Sequence, residues 1–101
     1  VITVRPSPIH GLGCFATTDI ARDQLIGRMR VRLATRNGTY VIWDGEQPYR
    51  VLGALRYMNH SAAPNATVYD TWEVFALRAI TQGEEVTFHY GDEFAKEVMS
   101  Y

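Results

Sequence analysis

The sequence has one cysteine, four prolines and no long apolar run. The lone thiol, Cys14, excludes a disulfide framework and a Cys-rich zinc cluster, and it suits a reducing, intracellular setting. No stretch approaches the ~20 apolar residues of a membrane-spanning helix, so no membrane partner is expected. Charge of one sign is also missing. The net is −1 over 101 residues, which speaks against a nucleic-acid binder, because such domains usually carry a basic surplus. No internal repeat, low-complexity tract or linker stands out. A chain that begins at Val1 reads as processed, or as a segment of something longer.

What is present favours one packed core. The chain is 47% hydrophobic, with six Tyr, four Phe and two Trp, and this size holds a single domain over residues 1–101 with nothing over for a second. Charge is unevenly distributed. Residues 1–50 carry seven Arg against four acidic side chains, a balance of +3, and residues 51–101 carry three basic against seven acidic, a balance of −4. An acidic second half would steer a cationic partner.

The periodicity is mostly β. Val1–Arg5 alternates, and a turn-rich stretch follows it. Leu25 to Leu33 alternates again as one strand, with Ile26, Arg28, Arg30 and Arg32 on one face and Leu25, Gly27, Met29, Val31 and Leu33 on the other. The aliphatic set reads as the core face and the arginines as a solvated one. Single-strand binders interleave aromatic platforms with such arginines, and none stands here. Asn37-Gly38 predicts a hairpin, with Thr39–Trp43 as its second strand and Asp44-Gly45 closing it. Val51 to Met58 has apolar spacings of three and four, which suit a short helix or 3₁₀ turn. Ala66–Tyr69 and Trp72–Ile80 read as a hairpin pair, Val86–Tyr90 as a last strand, and Phe94 to Met99 as a helical turn or two.

Three clusters break the alternation. In His10-Gly11-Leu12-Gly13, two glycines allow a tight turn and a close backbone approach to a ligand, or simply a turn. In Arg56-Tyr57-Met58-Asn59-His60-Ser61-Ala62-Ala63-Pro64-Asn65, a polar run follows an apolar turn, and its Asn and Ser side chains suit turn backbone groups. No second His, Cys or carboxylate stands at ligand spacing from His60, so no metal is expected. In Gly83-Glu84-Glu85-Val86-Thr87-Phe88-His89-Tyr90-Gly91-Asp92, the two glutamates read as exposed turn residues. Phe88 and Tyr90 share a strand face, and a strand-end Tyr can present its hydroxyl to a cavity.

In this order the clusters resemble the SET domain of protein lysine methyltransferases, over about residues 2–94. The resemblance implies a mostly β fold of small curved sheets with few short helices. Its C-terminal segment forms a pseudoknot, so that Asn59–Asn65 lies against Glu85–Tyr90. It implies S-adenosyl-L-methionine as methyl donor and a lysine amine as acceptor. His10, Gly11, Leu12, Asn59 and His60 would hold the donor, with Arg56 at a recurrent basic position and Tyr90 and Phe94 completing that side. Tyr90 corresponds to the catalytic tyrosine and Tyr40 looks like a second channel tyrosine. Phe88 stands where the family carries Phe or Tyr, and Phe there implies di- or trimethyl product.

A lysine of pKa ≈ 10.4 costs about 4–5 kcal/mol to deprotonate at pH 7, and a desolvated channel lowers that cost. Relatives often carry a Cys after Asn-His-Ser and a trailing zinc-binding segment, whereas this chain has Ala62 and no such tail. A lid would then come from Phe94, Met99 and Tyr101, from a partner such as a second copy in a homodimer, or from sequence outside the chain. The expected substrate is a basic, lysine-containing protein segment. Two other readings stand beside this one. The first is a catalytically silent SET-like module that binds peptide or donor, and the second is a small β-barrel that binds RNA.

Overall fold

The computed structural model describes residues 1–36, 38 and 40–89. Along the chain run β1 (Ile2–Pro6), β2 (Leu12–Ala16), β3 (Leu25–Arg28), β4 (Arg30–Leu33), β5 (Val41–Asp44) and β6 (Gln47–Leu52). A 3₁₀ turn (Ala54–Tyr57) leads into β7 (Asn59–His60), β8 (Ala66–Val68), β9 (Glu73–Ala76) and β10 (Glu85–Phe88). They form three small sheets, ordered β1-β2-β10-β7, β3-β9-β8 and β4-β6-β5.

β10 is the strand that joins distant parts of the chain. It pairs antiparallel with β2 (Glu85↔Phe15, Val86↔Cys14) and parallel with β7 (Thr87↔Asn59, Phe88↔His60). Its Val86, Thr87 and Phe88 are all buried, as an interior strand covered on both faces requires. The buried Asn65 holds it from the side, donating to the Glu85 carbonyl and accepting from the Thr87 N–H, each at 2.8 Å. The two segments that the sequence placed together therefore do lie together as far as His89, and Tyr90 is outside the described residues.

A second regularity was not visible in the sequence. Ile20 and Ile80, each 1% exposed, exchange backbone hydrogen bonds of 2.8 Å in an isolated antiparallel bridge. The turns that follow them are built alike. Ala21 N–H donates to the Gln24 side chain and Thr81 N–H to the Glu84 side chain, at 2.9 and 3.0 Å. Asp23 and Gly83 both take positive φ. Asp23 N–H bonds Ala76 O while Ala76 N–H bonds Gln24 O, and Gly83 N–H bonds Ala16 O while Ala16 N–H bonds Glu84 O. Phe15 pairs with Glu85 just as Phe75 pairs with Leu25. Each member of these pairs lies sixty positions from its counterpart, so β2–turn–β3 and β9–turn–β10 form an internal two-fold about the Ile20–Ile80 bridge. A sparse repeat carries it: Phe15-Ala16, Ile20, Gln24 and Ile26 against Phe75-Ala76, Ile80, Glu84 and Val86.

Two strand assignments are corrected. Leu25 to Leu33 is two strands in different sheets, parted at Met29, whose N–H bonds Trp72 O. A bulge between Leu25 and Gly27 turns Ile26 inward and leaves Leu25 47% exposed, because one extra residue reverses the faces beyond it. Leu33 is 67% exposed, so the aliphatic set is not a core face. β4 and β5 are not hairpin partners either, since β6 lies between them. The hairpin closes instead at Gly45-Glu46, between the Asp44↔Gln47 pair. Gly45 has φ 62° there, at a position that primed two-residue turns reserve for glycine. The apolar spacing at Val51–Met58 resolves into the end of β6 and the 3₁₀ turn; the β8–β9 hairpin forms, but its second arm is only Glu73–Ala76, and Ile80 belongs to the bridge with Ile20. The Phe94–Met99 segment lies outside the described residues.

Ile20→Ala and Ile80→Ala are each expected to cost about 2–5 kcal/mol. Being directly opposed, they should cost less together than the sum of the two. Urea denaturation of the two single variants and the double variant measures this.

Candidate active site

The first side of the site is the loop that joins β1 to β2. Ser7 N–H closes it onto Gly11 O at 2.8 Å, and Gly11 has φ 45° with nothing within 4 Å of the position a Cβ would take. Gly13 is required for a different reason: a Cβ there would run into the Glu85 carboxylate. That carboxylate, half-buried in β10, accepts from the Ser7 hydroxyl at 2.8 Å and from the Asn59 amide at 2.8 Å. The Asn59 nitrogen also lies 3.2 Å from His10 O and 3.1 Å from Leu12 O. With two N–H groups to share, Asn59 ties the glycine loop to β10 from the short strand β7.

The second side comes from the 3₁₀ turn. Gly53, at φ 80°, lets the chain leave β6, and the Arg56 guanidinium donates back to Gly53 O at 2.8 Å and to the Tyr57 hydroxyl. It lies 4.2 Å from the Tyr57 ring centroid and 5.7 Å from that of Tyr40, near enough for cation–π attraction. The two tyrosine rings meet edge-on at 5.5 Å. Tyr40 has φ 64°, a conformation that costs a non-glycine residue of order 1–3 kcal/mol. Val51 N–H, bonded to Tyr40 O at 2.8 Å, holds it there.

These sides enclose a cavity of about 420 Å³ lined by His10, Gly11, Leu12, Tyr40, Arg56, Tyr57, Met58 and Asn59. A narrower one of about 60 Å³ shares Tyr40, Arg56 and Met58 with it and is walled by Phe88 and Val51. Six of the residues singled out in the sequence thus meet around the larger cavity, and Phe88 borders the smaller. His60 is not part of either lining. Its ring packs on His89 with centroids 4.6 Å apart, and burial, then the His89 charge, push its pKa below 6.5. Tyr90 and Phe94 lie outside the described residues. Among the described residues no group of three or more His, Cys, Asp or Glu stands together as a metal site. No helix among them is long and apolar enough to cross a membrane.

The reading of Glu84 and Glu85 as exposed turn residues is corrected. Glu85 is a strand residue held by Ser7 and Asn59, and Glu84 caps its own turn and pairs with Arg78. That pairing comes first among the causes that hold the Glu84 carboxyl below its ordinary pKa. Sequence reasoning assigned no role to Ser7, Tyr57, Met58 or Glu85. For Ser7 and Glu85 no local signal exists, because they are 78 positions apart.

The two-sided cavity beside a parallel β7–β10 pair, on three small sheets, defines a mostly β domain of the SET type. The chain belongs to that family: a model of the SET domain matches residues 11–91. In fold it is similar to the crystal structure of a Plasmodium falciparum "putative histone methyltransferase", at 23% identity and a TM-score of 0.76. That alignment covers 90% of this chain and 93% of the other.

Because the folded protein binds a proton at His60 less readily than the unfolded chain, stability is unaffected well above pH 6.5. It falls as pH drops through that value toward the lowered folded pKa. His60→Gln is expected to flatten this acid-side decline, as read from urea midpoints between pH 7.5 and 5.

Proposed function

We propose that the protein is a lysine N-methyltransferase that takes its methyl group from S-adenosylmethionine and acts on a basic protein segment. The observation that carries this reading is the closure of the His10–Leu12 loop, Asn59, Arg56 and Tyr40 around one cavity in a chain of the SET family. The residues suit such a donor. The volume falls in the ~300–1,000 Å³ range of small-molecule sites, and the open space over Gly11 admits a ligand against bare backbone. When bound, the donor supplies an electrophilic methyl on a positively charged sulfur.

The chain's own residues then have distinct tasks. Arg56 uses two of its bonds on Gly53 and Tyr57, and a guanidinium has five N–H donors, so it retains capacity for the carboxylate of an amino-acid moiety. Asn59 and Glu85 keep the glycine loop in place. Tyr57 and Tyr40 supply aromatic walls, with ring edges and hydroxyls suited to orienting an amine. An amine seated in the narrow cavity beside Phe88 would displace water there, and the desolvation favours the neutral form that attack on a methyl carbon requires. Alignment of the reactants contributes much of the remaining acceleration. Tyr90, two residues beyond Phe88, is proposed to orient the acceptor nitrogen through its hydroxyl.

Phe88 bears on product. It is 3% exposed and walls the smaller cavity, where a ring without a hydroxyl leaves room for an amine that already carries a methyl. The proposed products are therefore the di- and trimethyl forms.

A radiolabelled-methyl assay on a panel of lysine-rich proteins tests the activity. Tyr90→Phe should lower turnover by about a hundredfold, the order of loss that misplacing a reactant causes. Donor affinity, measured by calorimetry, should be spared; near-wild-type methylation would remove Tyr90 from the site. Phe88→Tyr should shift product toward the monomethyl form by mass spectrometry. A parent protein that makes only monomethyl lysine contradicts the assignment of Phe88.

A further inference from the structure

Away from this site, three arginines converge on the β4–β6 pair. Arg32 and Arg50 are Cα partners in the antiparallel register, so their side chains leave the same face with Cβ atoms about 5 Å apart. Together with Arg36 and the Leu33-Ala34-Thr35 segment they line a concave surface of about 340 Å³. Arg30 shares the face of Arg32 two residues away; Arg28 ends β3 in the neighbouring sheet, where it stands opposite Glu73. All five arginines are exposed, and among the described residues none of them makes an ion pair. The only carboxylates between residues 30 and 52 are Asp44 and Glu46, which sit at the β5–β6 turn. Like charges directly opposite one another destabilise a sheet. A cluster that puts arginine opposite arginine with no acid between them is therefore suited to a polyanion.

We propose that this face binds the sugar–phosphate backbone of a nucleic-acid duplex. The aromatic platforms whose absence counted against nucleic acid are needed to stack unpaired bases. A duplex hides its bases and offers regularly spaced phosphates, which planar guanidinium groups bind bidentately. Its binding is driven by counterion release and requires no sequence readout. An acidic protein is the weaker fit. Leu33, 67% exposed, is the one large apolar side chain in the surface, short of the aromatic-anchored core typical of protein interfaces. Small net charge is no obstacle, because the acidic residues lie mainly in the second half of the chain, while Arg30, Arg32 and Arg50 share one sheet.

Fluorescence anisotropy of a labelled DNA duplex of arbitrary sequence, titrated with the full chain over a salt series, tests the proposal without methyl donor or peptide. Its failure is therefore distinct from failure of the proposed activity. Affinity should fall linearly with salt on logarithmic axes. Arg32→Ala/Arg50→Ala should weaken binding about tenfold at low salt and lessen the slope by about one for each arginine removed. Since that variant relieves a like-charge pair, its melting temperature should not drop. Arg32→Lys/Arg50→Lys, which keeps both charges, should recover most of the affinity. Absence of duplex binding at low salt, unchanged binding by the alanine variant, or equal competition by poly-L-glutamate would each overturn the proposal.

Discussion

The placement of β10 between β2 and β7 is the constraint on which the rest of the molecule depends. Two neighbouring strands from distant parts of the chain supply its backbone partners, the Asn65 side chain bonds the backbone of Glu85 and Thr87, and the Asn59 side chain holds the Glu85 carboxylate. Because the β7 contact is parallel and only two residue pairs long, it has little ladder strength of its own. Amide side chains compensate. Each carries both donors and an acceptor and can bridge backbone that runs in unrelated directions. The glycine loop is tied to the same strand through Ser7, Asn59 and Glu85, so the cavity cannot take shape until residues from both ends of the chain have met. A fold built on such long-range pairings belongs to the class that closes slowly.

The parts that were legible in the sequence are those whose signals are local. The β8–β9 hairpin followed from alternation on either side of a short polar turn. The 3₁₀ turn followed from apolar spacing, and the nearness of Asn59–Asn65 to β10 was what the resemblance to the SET domain implied. The failures share one cause, which is that the partner was remote. Asn37-Gly38 carries a strong hairpin signal, yet β6 inserts between the strands it was to join. The Leu25–Leu33 alternation looked continuous because a bulge and a change of sheet leave no mark on hydrophobic periodicity. Glu85, beside a glycine and another glutamate, resembled a solvent-facing residue, and only Ser7 and Asn59 give it a half-buried place. Within the site, His10, Gly11, Leu12, Tyr40, Arg56 and Asn59 came from the family resemblance, whereas Tyr57 and Met58 stood in the quoted run without an assigned role.

The electrostatic layout is divided in a way that the near-zero net charge conceals. The donor-side cavity is edged by loop carbonyls, tyrosines and one tethered guanidinium. The carboxylates that dominate the second half of the sequence lie partly behind it, with Glu84 and Glu85 engaged in holding the turn and the strand. The arginines of β4 and β6 have no such internal duties. A small domain has few surfaces to spare, and here one sheet serves twice: Val41, Ile42 and Val51 go to the core while Arg30, Arg32 and Arg50 stay exposed.

The internal two-fold about the Ile20–Ile80 bridge also separates scaffold from chemistry. Position for position, β3 repeats β10, and Arg28 stands where Phe88 stands. β3 is an edge strand in its sheet, with β9 as its one neighbour, while its counterpart acquires a second neighbour in β7. The site therefore arises where the symmetry is broken: one copy of the unit keeps an open edge, and the other gains β7 with Asn59 and the loop that Asn59 holds. A duplicated structural unit in which only one copy is recruited can vary the idle copy without disturbing the chemistry. The idle copy opens directly into the β4–β6 sheet, which is where this chain has gathered its arginines.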